Sequence, residues 1–279
     1  MFPIALKIGP VYISSFGVLL ALGFILSLFI AYQECKDRVD ISVEELFDTI
    51  LLTSLGALIG ARAFFILQHF SEFNNNILLM LLFRERPGLS YIGALVGSSI
   101  MLVLALRGKK ISIGTFLDAT IGSIGVFILF AQIGAFLDGF SFGKITTLPW
   151  GVSILGESVR RYPLPLFSVA GIFLFLIVLD KIKRSSRSKE WGTGGVFLLF
   201  LTLYSFLSAI LNTLRNDTYM IGRVSIDVVF NLCCGILALL LFYRVTRSLK
   251  ADTHSVLAFM KKTLHNIGRI GNNKFKVKN

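Results

Sequence analysis

Charge is what this chain has least of: Asp, Glu, Lys and Arg make up 16% of its 279 residues. Soluble domains carry roughly 25%, so the chain cannot cover its surface in water, and a soluble enzyme is excluded. Histidine is scarce too. His69, His254 and His265 lie far apart and form no ligand cluster. Of the three cysteines, Cys35, Cys233 and Cys234, two are adjacent and none has framework spacing, which excludes a disulfide scaffold and a zinc site. No serine stands in a nucleophile motif with a histidine and an acid. No histidine falls inside an apolar run, so a membrane pocket would have no imidazole general base. Neither a repeat of about 20–50 residues nor a separate soluble domain is evident.

What is present is apolar. Hydrophobic residues make up 54% of the chain, the mean hydropathy is +0.76, and a disordered or collagen-like chain is excluded. A helix needs roughly 20 mostly apolar residues to cross a bilayer. Such runs cover residues 11–32, 47–67, 89–106, 113–137, 164–179, 194–214 and 224–242. They are continuous, not alternating, which rules out transmembrane strands. The first is too long for a signal peptide and no small-residue cleavage site follows it. The reading is an all-α, polytopic membrane protein of about seven transmembrane helices. It divides into a membrane unit, 1–245, and a basic tail, 246–279.

Lys and Arg set the expected orientation. The connections after spans one, three and five, together with the tail, hold nineteen of them. The opposite set holds eight, and Arg62 lies within a span. This bias predicts an outer N-terminus and a cytoplasmic C-terminus. The net charge of +12 then calls for anionic lipid headgroups and no nucleic acid. In the tail, Val256, Met260, Leu264 and Ile267 make one helical stripe beside Lys261 and Lys262. An interfacial helix and a loosely ordered basic tail both fit it. The long outer connection, 138–163, is expected to fold back over the membrane surface.

Polar residues inside the spans are the candidate site. A charge at mid-membrane costs at least about 2.5 kcal/mol and normally faces a cavity or a partner. Arg62 is therefore a phosphate or carboxylate ligand in a buried pocket, or else an interface-seeking or structurally paired residue. Asp118 opens the fourth span as an acid favoured by the helix dipole, or serves function. Gln132 and Asp138 close the same span, which carries Gly122, Gly125, Gly134 and Gly139 for close approach. Arg160, Arg161 and Arg215 fall on the same expected outer side. Each is a surface residue by default; together their planar donor forks suit an anionic lipid.

The order of motifs resembles the bacterial prolipoprotein diacylglyceryl transferases, from about Ile8 to Phe242. Ile8-Gly9-Pro10 followed by Phe16-Gly17 is similar to the family's entry, with Phe16 where tyrosine is usual. Gly60-Ala61-Arg62 matches the second span. Gly88-Leu89-Ser90-Tyr91-Ile92-Gly93-Ala94-Leu95-Val96-Gly97 resembles the Ser-Phe-His-Gly-Gly-Leu-Ile-Gly segment. Phe136-Leu137-Asp138-Gly139, then Gly143 and Leu148-Pro149-Trp150-Gly151-Val152, resembles the signature and the loop after it. Arg161-Tyr162-Pro163 stands where Arg-His-Pro is common. Tyr204-Ser205, Leu214-Arg215, Asp217, Met220 and Gly222 fit the sixth span and its exit.

The resemblance implies transfer of diacylglycerol from phosphatidylglycerol to the lipobox cysteine of a prolipoprotein, with glycerol phosphate leaving. No cofactor or metal is implied. Such transfer needs an activated thiol and cationic donors on the departing phosphate. Here the family's reactive positions fall on Ile92, Gln132, Ala135, Asp138, Phe140, Ser208 and Asn212, and its Gln-Leu-Tyr-Glu segment reads Pro165-Leu166-Phe167-Ser168. Losing a transition-state donor typically costs about 10²–10³ in rate.

The expectation is a catalytically impaired homologue in the bacterial inner (cytoplasmic) membrane. Its lipid-binding set would be Arg62, Gln132, Asp138, Gly139, Gly143, Arg161 and Arg215. Its partners would be phosphatidylglycerol or another anionic phospholipid and prolipoprotein signal peptides. The alternatives are an active transferase with a rearranged site, Asp138 acting as base, and a small transporter or structural subunit.

Overall fold

In hydrocarbon no water is at hand for backbone N–H and C=O groups, so each apolar run must close its hydrogen bonds within itself. The computed structural model describes residues 2–8, 11–36, 39–70, 88–139, 142–153, 159–184, 191–215, 220–221 and 224–246. Gly9, Pro10, Phe140, Asp217, Gly222 and the tail from residue 247, with its 255–270 stripe, lie outside the described residues.

The element order is β1 (Ile4–Ile8), β2 (Val11–Ser14), α1 (Ser15–Cys35), α2 (Val43–Gln68), α3 (Tyr91–Leu106) and α4 (Ile113–Asp138). Then come β3 (Val152–Ser153), β4 (Arg160–Arg161), α5 (Leu164–Arg184), α6 (Gly195–Thr213), β5 (Met220–Ile221), β6 (Val224–Ser225) and α7 (Ile226–Thr246). Six of these helices are long and apolar enough to cross a membrane. The seventh, α3, has 16 residues, about 24 Å at 1.5 Å per residue against a core of about 30 Å. It starts late because the Ser90 N–H donates to Ala61 O at 2.9 Å, which holds the preceding chain against α2.

The first apolar run opens as a strand and not as a helix. β2 pairs antiparallel with β1, and β-branched Val11 and Ile13 suit that conformation. Ser14 then caps α1, its Oγ accepting from Gly17 N at 3.0 Å. Ser42 caps α2 reciprocally with Glu45, and Ser112 caps α4 by accepting from Thr115 N at 3.1 Å.

The interior keeps an apolar core, with Leu46, Phe116, Ile121 and Leu179 buried, but the outer faces are apolar as well. Ile25, Phe29, Leu51, Ile59, Phe173 and Leu240 are exposed, whereas Thr49, Thr120, Ser123, Thr202, Ser205 and Asn231 are buried. The buried threonines bond back to their own helices: Thr49 to Glu45 O, Thr120 to Phe116 O and Thr202 to Leu198 O, all within 2.8 Å.

Helices pack most closely in three pairs, α2 with α3, α1 with α4, and α6 with α7; α4 also meets α5 and α6. The α2–α3 pair meets through Gly56, Gly60, Gly93 and Gly97. A Cβ at Gly60 would fall on Gly93 O and within 2.8 Å of the Gly97 Cα. Both helices therefore carry small residues four apart, the spacing that lets membrane backbones touch.

Charges inside the bundle have partners. At one end, Lys183 Nζ lies 3.1 Å from Glu34 Oε1 and joins α5 to α1. Lys109 Nζ donates to Thr49 Oγ1 at 2.8 Å and to Glu45 O at 3.1 Å. Asp118 departs from its expected role: α4 begins at Ile113 and is capped by Ser112, so Asp118 lies beyond the first turn of its own helix. It serves α6 instead. Gly194, the α6 N-cap, has no side chain to offer, and Asp118 accepts from Gly194 N and Phe197 N, both at 2.7 Å. At the opposite end of α4, Asp138 Oδ1 accepts from Phe16 N of α1 at 3.3 Å.

Removing the Asp118 acceptor leaves two N–H groups at a packed helix start. Asp118→Ala is expected to cost about 1–3 kcal/mol, read as a lowered thermal transition in detergent. Asp118→Asn, which keeps one oxygen, should cost less. Equal stability of Asp118→Ala and wild type would refute the cap.

Candidate functional site

The end of the bundle that carries the β1–β2 hairpin also carries the C-termini of α4 and α6 and the N-termini of α3, α5 and α7. A cavity of ≈ 200 Å³ lies there. From α6 it receives Tyr204, Ser208, Leu211, Asn212 and, just beyond the helix, Arg215. These positions recur at three- and four-residue steps and so share one helix face. Helix α7 adds Asp227 and Asn231, again four apart; α4 adds Gln132, α3 adds Tyr91 and α5 adds Leu164, Pro165 and Ser168. The Asn231 side-chain amide donates to Asp227 O at 2.7 Å, which sets its rotamer. Tyr204 interacts with the side chains of Ser208 and Gln132, and the Tyr91 ring stands edge-on to Phe230 at 6.3 Å.

Residues 142–153 and 159–163 brace this end. Gly143 N donates to Tyr162 O at 2.9 Å, Lys144 N to Leu214 O at 2.8 Å, and Thr146 N to Arg160 O at 2.9 Å. Gly143 also pairs as an isolated bridge with Arg215. Its missing side chain is required, since a Cβ would lie 2.8 Å from the Tyr162 Cβ and 3.0 Å from Leu214 O. Lys144 Nζ donates to Thr213 O at 3.0 Å, a cation at the negative end of α6.

Four sequence candidates therefore meet in one cavity: Gln132, Ser208, Asn212 and Arg215. The other candidates among the described residues do not line it. Arg62 is buried between α2 and the start of α3, where Nη1 donates to Gly88 O at 3.1 Å and the guanidinium lies 5.7 Å from the Phe65 ring centroid. Ile92 and Ala135 are half-buried on α3 and α4. Asp138 is engaged by α1. Gly139 ends α4 in the left-handed conformation, φ +85°, as a helix-stopping glycine does. Arg161 pairs with Val152 in the β3–β4 ribbon.

Sequence reasoning passed over Asp227, Asn231 and Tyr91 as site residues. The signal was available for two of them: Asp227 and Asn231 are a polar pair at helical spacing inside an apolar run. Tyr91 gave none, because it sits next to Ile92 and its own side chain is that of an interfacial aromatic. Among the described residues no three His, Cys, Asp or Glu side chains converge as metal ligands.

Chemically the described residues offer the cavity one guanidinium, one carboxylate, two phenols, three amides and two hydroxyls. It can orient a polar group by hydrogen bonds, and it has a charge of each sign. Fold and cavity together define a multi-pass helical membrane protein built around a polar site at one end of its bundle. The family model for prolipoprotein diacylglyceryl transferase matches residues 3–246, so the chain belongs to that family.

Its relatives are named phosphatidylglycerol–prolipoprotein diacylglyceryl transferases. That of Clostridioides difficile (strain 630) is 28% identical over 232 residues, 82% of this chain and 89% of the relative. That of Tropheryma whipplei (strain TW08/27) is 27% identical over 220 residues, 75% and 80%. That of Clostridium botulinum (strain 657 / Type Ba4) is 23% identical over 255 residues, 89% and 100%.

The position of Arg62 makes a prediction. Arg62→Ala strips the half-buried Gly88 carbonyl of its Arg62 donor and is expected to cost about 1–3 kcal/mol in thermal unfolding. Exposed Arg160→Ala should stay within about 0.5 kcal/mol of wild type. An Arg62→Ala variant as stable as wild type would show that Arg62 does not hold α3 to α2.

Proposed function

We propose that this family member holds a phospholipid headgroup in the Gln132–Ser208–Asn212–Arg215 cavity and does not transfer the diacylglyceryl group to a thiol. One observation carries the reading. Three of the seven positions at which the resemblance places reactive side chains, Gln132, Ser208 and Asn212, gather in one cavity, and there they are neutral hydrogen-bonding groups. Transfer needs a base for the cysteine and cations on the departing glycerol phosphate. Among the described lining residues Arg215 is the one cation, and none of them is a histidine. The family's substrates, phosphatidylglycerol and prolipoproteins, define the two kinds of molecule that such a site could retain, a lipid headgroup and a lipoprotein signal peptide.

The retained active enzyme with Asp138 as base draws no support from the lining, since Asp138 is spent on the α1 backbone. In this reading the protein sits in the bacterial cytoplasmic membrane with the cavity end outward. The end carrying Lys109 and Lys183, and the tail, face the cytoplasm, where basic residues meet anionic lipid.

The test is thioether transfer in membranes containing the purified protein, phosphatidylglycerol and a lipobox peptide, read by peptide mass. No diacylglyceryl shift above a protein-free control is expected. Ile92→His, Gln132→Arg, Phe140→Glu and Ser208→Arg, introduced together, should raise transfer above that background. A mass shift from the unaltered protein would overturn the reading.

A further inference from the structure

The arginines expected to converge on an anionic lipid do not: of Arg62, Arg161 and Arg215, only Arg215 lines the cavity. What faces the same space is a carboxylate, Asp227, in the first turn of α7. No hydrogen bond or ion pair to a described residue involves that carboxylate. It interacts electrostatically with Tyr91, whose neighbour across the cavity is Tyr204. A carboxylate in a membrane cavity is costly and is normally met by an opposite charge. A carboxylate beside a phenol, in a cavity that a second phenol also lines, suits an ammonium through its charge. A guanidinium is a phosphate site.

The geometry points to a zwitterionic phospho-amine headgroup as the occupant, its phosphodiester at Arg215 and its primary ammonium at Asp227 beside Tyr91 and Tyr204. This rests on the reading of the cavity as a lipid-binding site and names the class of lipid. A headgroup with one negative charge and no positive one would set its phosphate at Arg215 and bring no counter-charge to Asp227. That is discrimination by an unfavourable contact as much as by a favourable one. The volume agrees: ≈ 200 Å³, against about 30 Å³ for a water, accommodates a headgroup and leaves the two acyl chains to the bilayer. The competing role for Asp227 is structural, as an acid at the positive end of α7. In that case it affects stability and leaves headgroup preference untouched.

The experiment is titration of the full-length protein in detergent with dihexanoyl-phosphatidylethanolamine and with dihexanoyl-phosphatidylglycerol, binding being read by native mass spectrometry. The wild-type protein should hold the ethanolamine lipid roughly tenfold more tightly. Asp227→Asn should abolish the preference, and Arg215→Ala should weaken both lipids. Equal or tighter binding of the glycerol lipid by wild type overturns the assignment and leaves the phospholipid reading standing, and this comparison needs no variant to fold. Failure of both lipids to bind removes the phospholipid reading itself. An Asp227→Asn protein that melts normally and keeps the preference also overturns the ammonium site. Chain-free phosphoethanolamine bound as tightly as the lipid would overturn the lipid source and assign the site to a soluble phospho-amine.

Discussion

A backbone N–H at a helix start inside a bilayer has no water to bond, and that constraint organises this protein. Helix α4 answers it for two neighbours. Asp118 near one end accepts from the first residues of α6, and Asp138 at the other end accepts from α1. The backbone of α4 also takes the N–H of Phe2 at Leu137 O, 3.1 Å away, which ties down the N-terminal hairpin. Because α4 packs on α1, α5 and α6, its two carboxylates are the pins of the bundle. Gln132 rides on the same helix, between the pins, and so reaches the cavity in a defined position.

The second constraint is closeness. Gly56, Gly60, Gly93 and Gly97 let α2 and α3 approach until backbone meets backbone. This contact, with Ser90 N bonded to Ala61 O and Arg62 bonded to Gly88 O, fixes where α3 begins. It therefore fixes Tyr91, the first residue of α3, at the cavity wall. Scaffold and site are separable here. The pins, the glycine contact and the brace of residues 142–153 and 159–163 hold the shape of the bundle. The cavity that they frame is lined, among the described residues, by neutral hydrogen-bonding groups and one charge of each sign.

Much of the fold was legible in the sequence, because a 20-residue apolar run has few destinations other than a membrane helix. All seven runs became helices. What hydropathy could not register was local: that residues 11–14 pair as a strand, and that α3 stops at 16 residues because its start is tied to α2. The site was half legible. Gln132, Ser208, Asn212 and Arg215 were found through motif order, and the structure gathers them. Arg62 and Asp118 were suspected because charge in hydrocarbon is expensive, and that expense is met by structural bonds to Gly88 and to the α6 start. Asp227 was passed over because an acid near a span boundary looks ordinary. Only the fold shows that it faces Arg215 across a shared space.

The central claim is that the cavity retains an intact lipid where the family's reaction would consume one. The most direct measurement is the lipid that co-purifies from the native membrane, identified by native mass spectrometry of the wild-type protein and of Ser208→Trp, which fills the cavity. One intact diacyl phospholipid on the wild-type protein, absent from a normally folded Ser208→Trp, is the predicted result. A lipid load that Ser208→Trp leaves unchanged would contradict the account.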